Sequence, residues 1–281
     1  MAFVAQTNAE IVRAASQDAF DEILHLERIL AALLSTTDTD LTEASDASAQ
    51  ARHAFLQIES AVYYPIPEVP AWSQPFNGFS PKQLSPEPPA FVTVRRLLAE
   101  YPSIPLDSLS LPNSRSLALE NLKAETSILR VALKDFLATW STAPADNFRN
   151  QVFLADSSGA VGRIFQGLLT VTDLMILEGP SSFDRDRVAA RLEGVRSIYE
   201  GSYAPRKSTR ISGPGLVTLL QKSDPALAQS LTTTIDDLLE DWKGEPAGSD
   251  DSAPLLSLKA KIIDAAEALG FSAQTSSEST P

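Results

Sequence analysis

Apolar positions recur at helical spacing along most of this chain. Ile11, Ala14, Ala15, Phe20, Ile23, Leu26, Ile29, Leu30 and Leu33 mark one face of a long helix ending near Leu34. The polar run Ser35 to Asp40 closes it and offers caps for the next helix. A second stripe, Ala54, Phe55, Ile58 and Val62, predicts a helix over 51–64 that stops at Pro65. Shorter helical patterns cover Phe91 to Glu100, Phe148 to Leu177 with a break near Gly159, and Asp184 to Tyr199. The clearest stripe runs from Ser114 to Trp140 through Leu119, Leu122, Leu129, Leu133 and Phe136. Asp224-Pro225 is an N-cap followed by proline at the first helical position, opening a helix that reaches Trp242. Leu255 to Leu269 is the last helix, with Gly270 placed to end it.

No strand alternation competes with these patterns, so the predicted class is all-α. The arrangement expected is two packed helical bundles, residues 1–112 and 113–272, with ligand sites between facing helices. Residues 65–90 hold eight prolines and exclude a continuous helix. They are expected to form a long ordered loop, pinned by Trp72, Phe76 and Phe79. Residues 273–281 read as a disordered tail.

Composition narrows the function classes. The net charge of −13 opposes nucleic-acid binding and a polybasic membrane contact, and it suits cationic ligands or partners. With no cysteine, thiolate zinc sites, iron–sulfur clusters and disulfides are excluded. No apolar run stands out as long enough to span a bilayer. The first residues carry no basic and apolar leader pattern, so the chain reads as a mature exported fragment or, alternatively, as a cytoplasmic protein.

Candidate chemistry is sparse. Glu22 and His25 have the i, i+3 spacing of carboxylate-bundle metal sites, yet His53 is the only other histidine and lacks that pattern. A structural His25 is the plainer reading. Arg206-Lys207-Ser208-Thr209-Arg210 is the one basic cluster, suited to an anion or simply to solvent. Glu59 sits at the edge of an apolar stripe, where a carboxylate needs a partner, a metal or water. Its structural reading is a buried acid paired with an arginine such as Arg95 or Arg163.

The order of several weak motifs resembles the imelysin-like family of extracytoplasmic bacterial proteins. Those motifs are the helix ending Ile58-Glu59, the loop Phe76-Asn77-Gly78, and the second helix from Pro89 to Leu98. Further along come Ser182-Phe183-Asp184, the run Arg191 to Gly201, Gly215-Leu216 and Asp224-Pro225-Ala226-Leu227. The resemblance implies a ligand site drawn from Glu59, Tyr63, Asn77, Arg95 and Asp184, although Asp184 would equally serve as a helix N-cap. It implies a periplasmic or cell-surface binding module connected with iron or haem acquisition, taking a small-molecule, metal or protein ligand. The alternatives are an imelysin-type metallopeptidase and a purely structural helical interaction domain. Where the family carries Gly-x-His-x-x-Glu, this chain has Val92 and Arg95 in place of the histidine and the glutamate. A histidine and an acid one turn apart grip a metal from one face, and valine and arginine do not. No catalytic residue is therefore assigned, and any metal would have to be held through carboxylates. Oligomeric state is left open.

Overall fold

The computed structural model describes residues 1–32, 39–62, 89–101, 114–143, 148–178, 185–206, 208–243 and 252–272. The elements in chain order are α1 (Ala2–Ala32), α2 (Thr39–Leu56), α3 (Glu59–Val62), α4 (Pro89–Glu100) and α5 (Ser114–Thr139). A π-helical turn, Arg149–Phe153, leads to α6 (Ser157–Glu178) and α7 (Arg185–Glu200). Then come β1 (Ser202–Tyr203), β2 (Ile211–Ser212), α8 (Leu216–Ser223), α9 (Pro225–Lys243) and α10 (Ala253–Ala268). The two strands form one antiparallel hairpin, pairing Ser202 with Ser212 and Tyr203 with Ile211. The class is all-α. The proline-rich loop with Trp72, Phe76 and Phe79, the residues Tyr63, Asn77 and Asp184, and the tail 273–281 lie outside the described residues.

The chain divides into two compact units that interleave in sequence. The first comprises Met1–Ala15, Leu56–Pro67 and Thr139–Pro281, and the second Ser16–Phe55 and Glu68–Ala138. This division does not coincide with the sequential boundary expected near residue 112. Periodicity reports which residues of a helix are buried, not which other segments they are buried against.

In the first unit α6 packs against α10, α3 and α7, and α9 packs against α7, α8 and α10. Val161, Ile164, Leu168, Leu174 and Met175 of α6 are buried, as are Leu231, Ile235 and Leu238 of α9 and Leu255, Leu258 and Ile262 of α10. Each such aliphatic side chain contributes roughly 2 kcal/mol of transfer free energy. Trp140 is buried edge-on to Phe153, with ring centroids 5.1 Å apart. The window Ser157–Leu177 is long and apolar enough to cross a membrane, with mean hydropathy 1.4. That corrects the expectation that no such run exists. The apolarity has a core function, because 61% of the window is buried within the protein.

Two helix ends behave as their sequences require. Asp224 accepts the Leu227 amide at 2.9 Å, the capping bond expected ahead of Pro225. At the end of α10, Gly270 adopts φ +82°. Its amide bonds Glu267 and the Phe271 amide bonds Ala266, which satisfies two terminal carbonyls. Phe271 then meets Phe165 with the rings tilted by 39° and centroids 6.0 Å apart.

The second unit buries Ile23, Leu26 and Leu30 of α1, Ala44, Ala51 and Phe55 of α2, Phe91, Val94 and Leu98 of α4, and the Leu122–Leu129–Phe136 face of α5. Phe55 and Phe91 meet with centroids 5.4 Å apart. Arg130 of α5 donates to Glu27 of α1 at 2.8 Å.

Candidate functional site

The stretch 51–64 is not one continuous helix. Helical pairing stops at Leu56, and α3 restarts at Glu59 after a two-residue turn at Gln57 and Ile58. The turn is held at close range. A Cβ built on Gly194 of α7 would lie 2.2 Å from the Gln57 carbonyl oxygen, so only glycine admits the backbone there. The Gln57 side-chain Nε2 donates to Glu193 at 2.7 Å, and Lys243 pairs with the other oxygen of Glu193 at 2.6 Å.

Beyond the turn the chain enters the interior. Ile58, Glu59, Ser60 and Ala61 are all buried. α3 packs against α6 and α7, which removes the exposed face a surface helix would keep. Glu59 therefore has no solvent. Its side chain is 1% exposed and that of Arg191 is 0% exposed. Arg191 Nε donates to one Glu59 oxygen at 2.6 Å, and Arg191 Nη2 donates to the other at 3.2 Å. This is the fork-on-fork geometry that favours arginine over lysine.

The expectation that Glu59 is a buried acid paired with an arginine holds, and the identity of the arginine is corrected. The buried cation that meets Glu59 is Arg191, not the proposed Arg95 or Arg163. Arg95 is exposed on α4. A signal for Arg191 was present in the sequence. Val188, Arg191, Val195 and Ile198 recur at i+3 and i+4 spacing, which puts an arginine inside the core stripe of α7. A cation in that position needs a buried anion somewhere else in the chain.

A metal held at Glu59 does not fit this arrangement. Both carboxylate oxygens accept from one guanidinium, and a bound cation would stand within a few ångströms of a buried positive charge. Val92 and Arg95 supply no ligand on α4. His25 lies 3.3 Å from Glu43, a pairing that needs no metal. Among the described residues no group of three or more His, Asp or Glu side chains converges on a point. The basic cluster is partly committed within its own hairpin, where Arg210 donates to the Ser202 hydroxyl at 3.0 and 2.7 Å.

No protein-family model matches the chain, and no curated protein matches it. Its fold is similar to that of a crystallised protein from Parabacteroides distasonis ATCC 8503, provisionally named as an iron-regulated protein A precursor. The TM-score is 0.57 at 12% sequence identity, over 95% of this chain and 93% of that one. At that identity the likeness shows a common fold.

Proposed function

We propose that this chain is a non-catalytic, imelysin-like binding module of the bacterial cell envelope, serving iron or haem acquisition by capturing a ligand. The observation that carries the reading is the near full-length likeness of fold to a protein named for iron regulation. The word precursor in that name supports export, and the motif order from Ile58 to Leu227 agrees with it. The surplus of acidic over basic residues suits a cationic cargo such as an iron ion. Glu59 is read as internal structure. Arg95, accessible on α4, remains a candidate ligand contact, with Tyr63, Asn77 and Asp184 beside it in the proposal.

Peptidase chemistry is disfavoured by the side chains. Activating a water on zinc takes about three protein ligands and an open position. The family position for two of them holds Val92 and Arg95, and Glu59 is engaged by Arg191. The test uses untagged protein, dialysed against ferric citrate and separately titrated with haem, followed by metal analysis and the haem absorption spectrum. Retention of iron or haem is expected, with no chelator-sensitive cleavage of casein. Failure to retain either cargo would reject the acquisition role and leave the scaffold reading. Chelator-sensitive cleavage would establish the peptidase reading.

A further inference from the structure

The net charge is −13, yet the longest stretch without an acid, Gly201 to Ser223, carries Arg206, Lys207, Arg210 and Lys222. The acids at its two ends are engaged by their own helices. Glu200 pairs with Arg196 at 2.9 Å, and Asp224 caps α9 through the Leu227 amide. Within the stretch lies the β1–β2 hairpin, whose base is fixed. The Gly213 amide donates to the Gly201 carbonyl at 2.9 Å. Gly201 holds φ +74°, and a Cβ there would lie 2.3 Å from the Gly213 carbonyl oxygen. Beyond that base Ala204, Arg206, Ser208, Thr209 and Arg210 are all exposed. Arg210 turns its Nε and Nη2 onto the Ser202 hydroxyl. That contact holds the guanidinium by its side edge and neutralises none of its charge. Among the described residues no carboxylate pairs with Arg210, and its Nη1 meets no acceptor.

The surroundings of these cations decide what they fit. An exposed hairpin tip has no concave walls, and small molecules are held in concave sites. A basic segment that settles on an anionic bilayer also buries apolar side chains. Ala204 to Arg210 hold no aromatic, leucine, isoleucine, valine or methionine, and a bilayer would face far more of the −13 surface than the tip. The same net charge opposes nucleic acid, and the tip has no ring on which a base could stack. A short acidic segment of protein meets only the tip, and acids more than about 8 Å away are screened from it at physiological salt. Arginine suits such a partner, because its fork takes a carboxylate through two parallel bonds. We propose that the β1–β2 hairpin docks an acidic segment of a partner protein, with Arg206 and the end-on edge of Arg210 taking its carboxylates. The partner is anionic and so is distinct from the cationic cargo proposed above.

The probe is fluorescein-labelled decaglutamate, followed by anisotropy against the full chain at low ionic strength and at about 150 mM salt. Saturable binding that weakens as salt rises is expected. Arg210→Glu should weaken it at least about tenfold. Arg210→Lys keeps the charge and loses the fork, and should weaken it about threefold. Arg210 is exposed, so the circular dichroism of both variants should match wild type. Lys134, exposed on α5, is the control. Lys134→Glu changes the net charge as much as Arg210→Glu does, and should leave the affinity within about twofold of wild type. Phosphatidylglycerol vesicles and a short single-stranded DNA, titrated in parallel, should bind more weakly than the peptide. No saturable binding of decaglutamate, equal losses in Arg210→Glu and Lys134→Glu, an Arg210→Lys variant that binds like wild type, or tighter binding of vesicles or DNA would each overturn the proposal.

Discussion

Cutting the Glu59–Arg191 pair from one side only gives the sharpest test of how this interior is built. Glu59→Gln keeps the shape of the side chain and removes its charge. Arg191 then remains fully buried beside a neutral amide, with contacts that were 2.6 and 3.2 Å long. At an effective dielectric near 20, two unit charges about 3 Å apart attract by roughly 5 kcal/mol. Loss of one member of a buried pair costs about 3–5 kcal/mol by mutational precedent. The two figures agree, so the single variant should unfold some 10 °C below wild type at the usual scaling for a chain of this size. Arg191→Met alone should do comparable harm, since it strands the carboxylate. The double variant should recover most of the loss, because removing both charges also removes both desolvation penalties. Urea unfolding of all four proteins yields the coupling energy directly. Additive effects, with the double variant as unstable as the sum of the singles, would refute the claim that the pair acts as a unit.

Two further outcomes follow from the same unit. Gly194→Ala should destabilise by at least about 2 kcal/mol in urea unfolding, since its new methyl group would meet the Gln57 carbonyl and force the turn outward; Gly162→Ala, whose nearest neighbour is a Phe271 ring atom at 3.3 Å, should cost much less. Burial raises the Tyr199 phenol above its ordinary value of 10.0, with its hydroxyl donating to the Ala228 carbonyl at 2.8 Å. A raised folded value means that the unfolded chain loses this proton first. The stability that Tyr199 contributes is therefore complete below about pH 10 and falls as pH rises toward the folded value. Tyr199→Phe should remove that alkaline slope in pH-dependent thermal unfolding, and an unchanged slope would show that another group sets it.

Most of the helices were legible in the residues, although α1 starts at Ala2 rather than Ile11 and α2 at Thr39 rather than Ala51, where polar and alanine-rich sequence carries no clear stripe. Stripes such as Leu119 to Phe136, the Asp224-Pro225 start and the Gly270 stop depend on side chains within a few turns of one another, and local spacing records such contacts directly. The all-α class followed from them, as did the break ahead of α6. The interruption at Gln57 and Ile58 did not, because the turn lies against the Cβ-free surface of Gly194 on a helix far along the chain. Ser16–Phe55 and Glu68–Ala138 forming one compact unit is likewise a matter of which stripes meet, and several partners can bury the same stripe. The ion pair shows the limit most plainly. Local pattern showed that Glu59 needs a partner and, read on α7, that Arg191 does too. Their separation of 132 residues is bridged only when α3 and α7 pack together. Sequence alone put Arg95 first and Arg163 second as the partner, since every arginine offers the same donors and only the resemblance favoured one of them. Packing chose among them by burying one guanidinium with its fork aimed at the carboxylate.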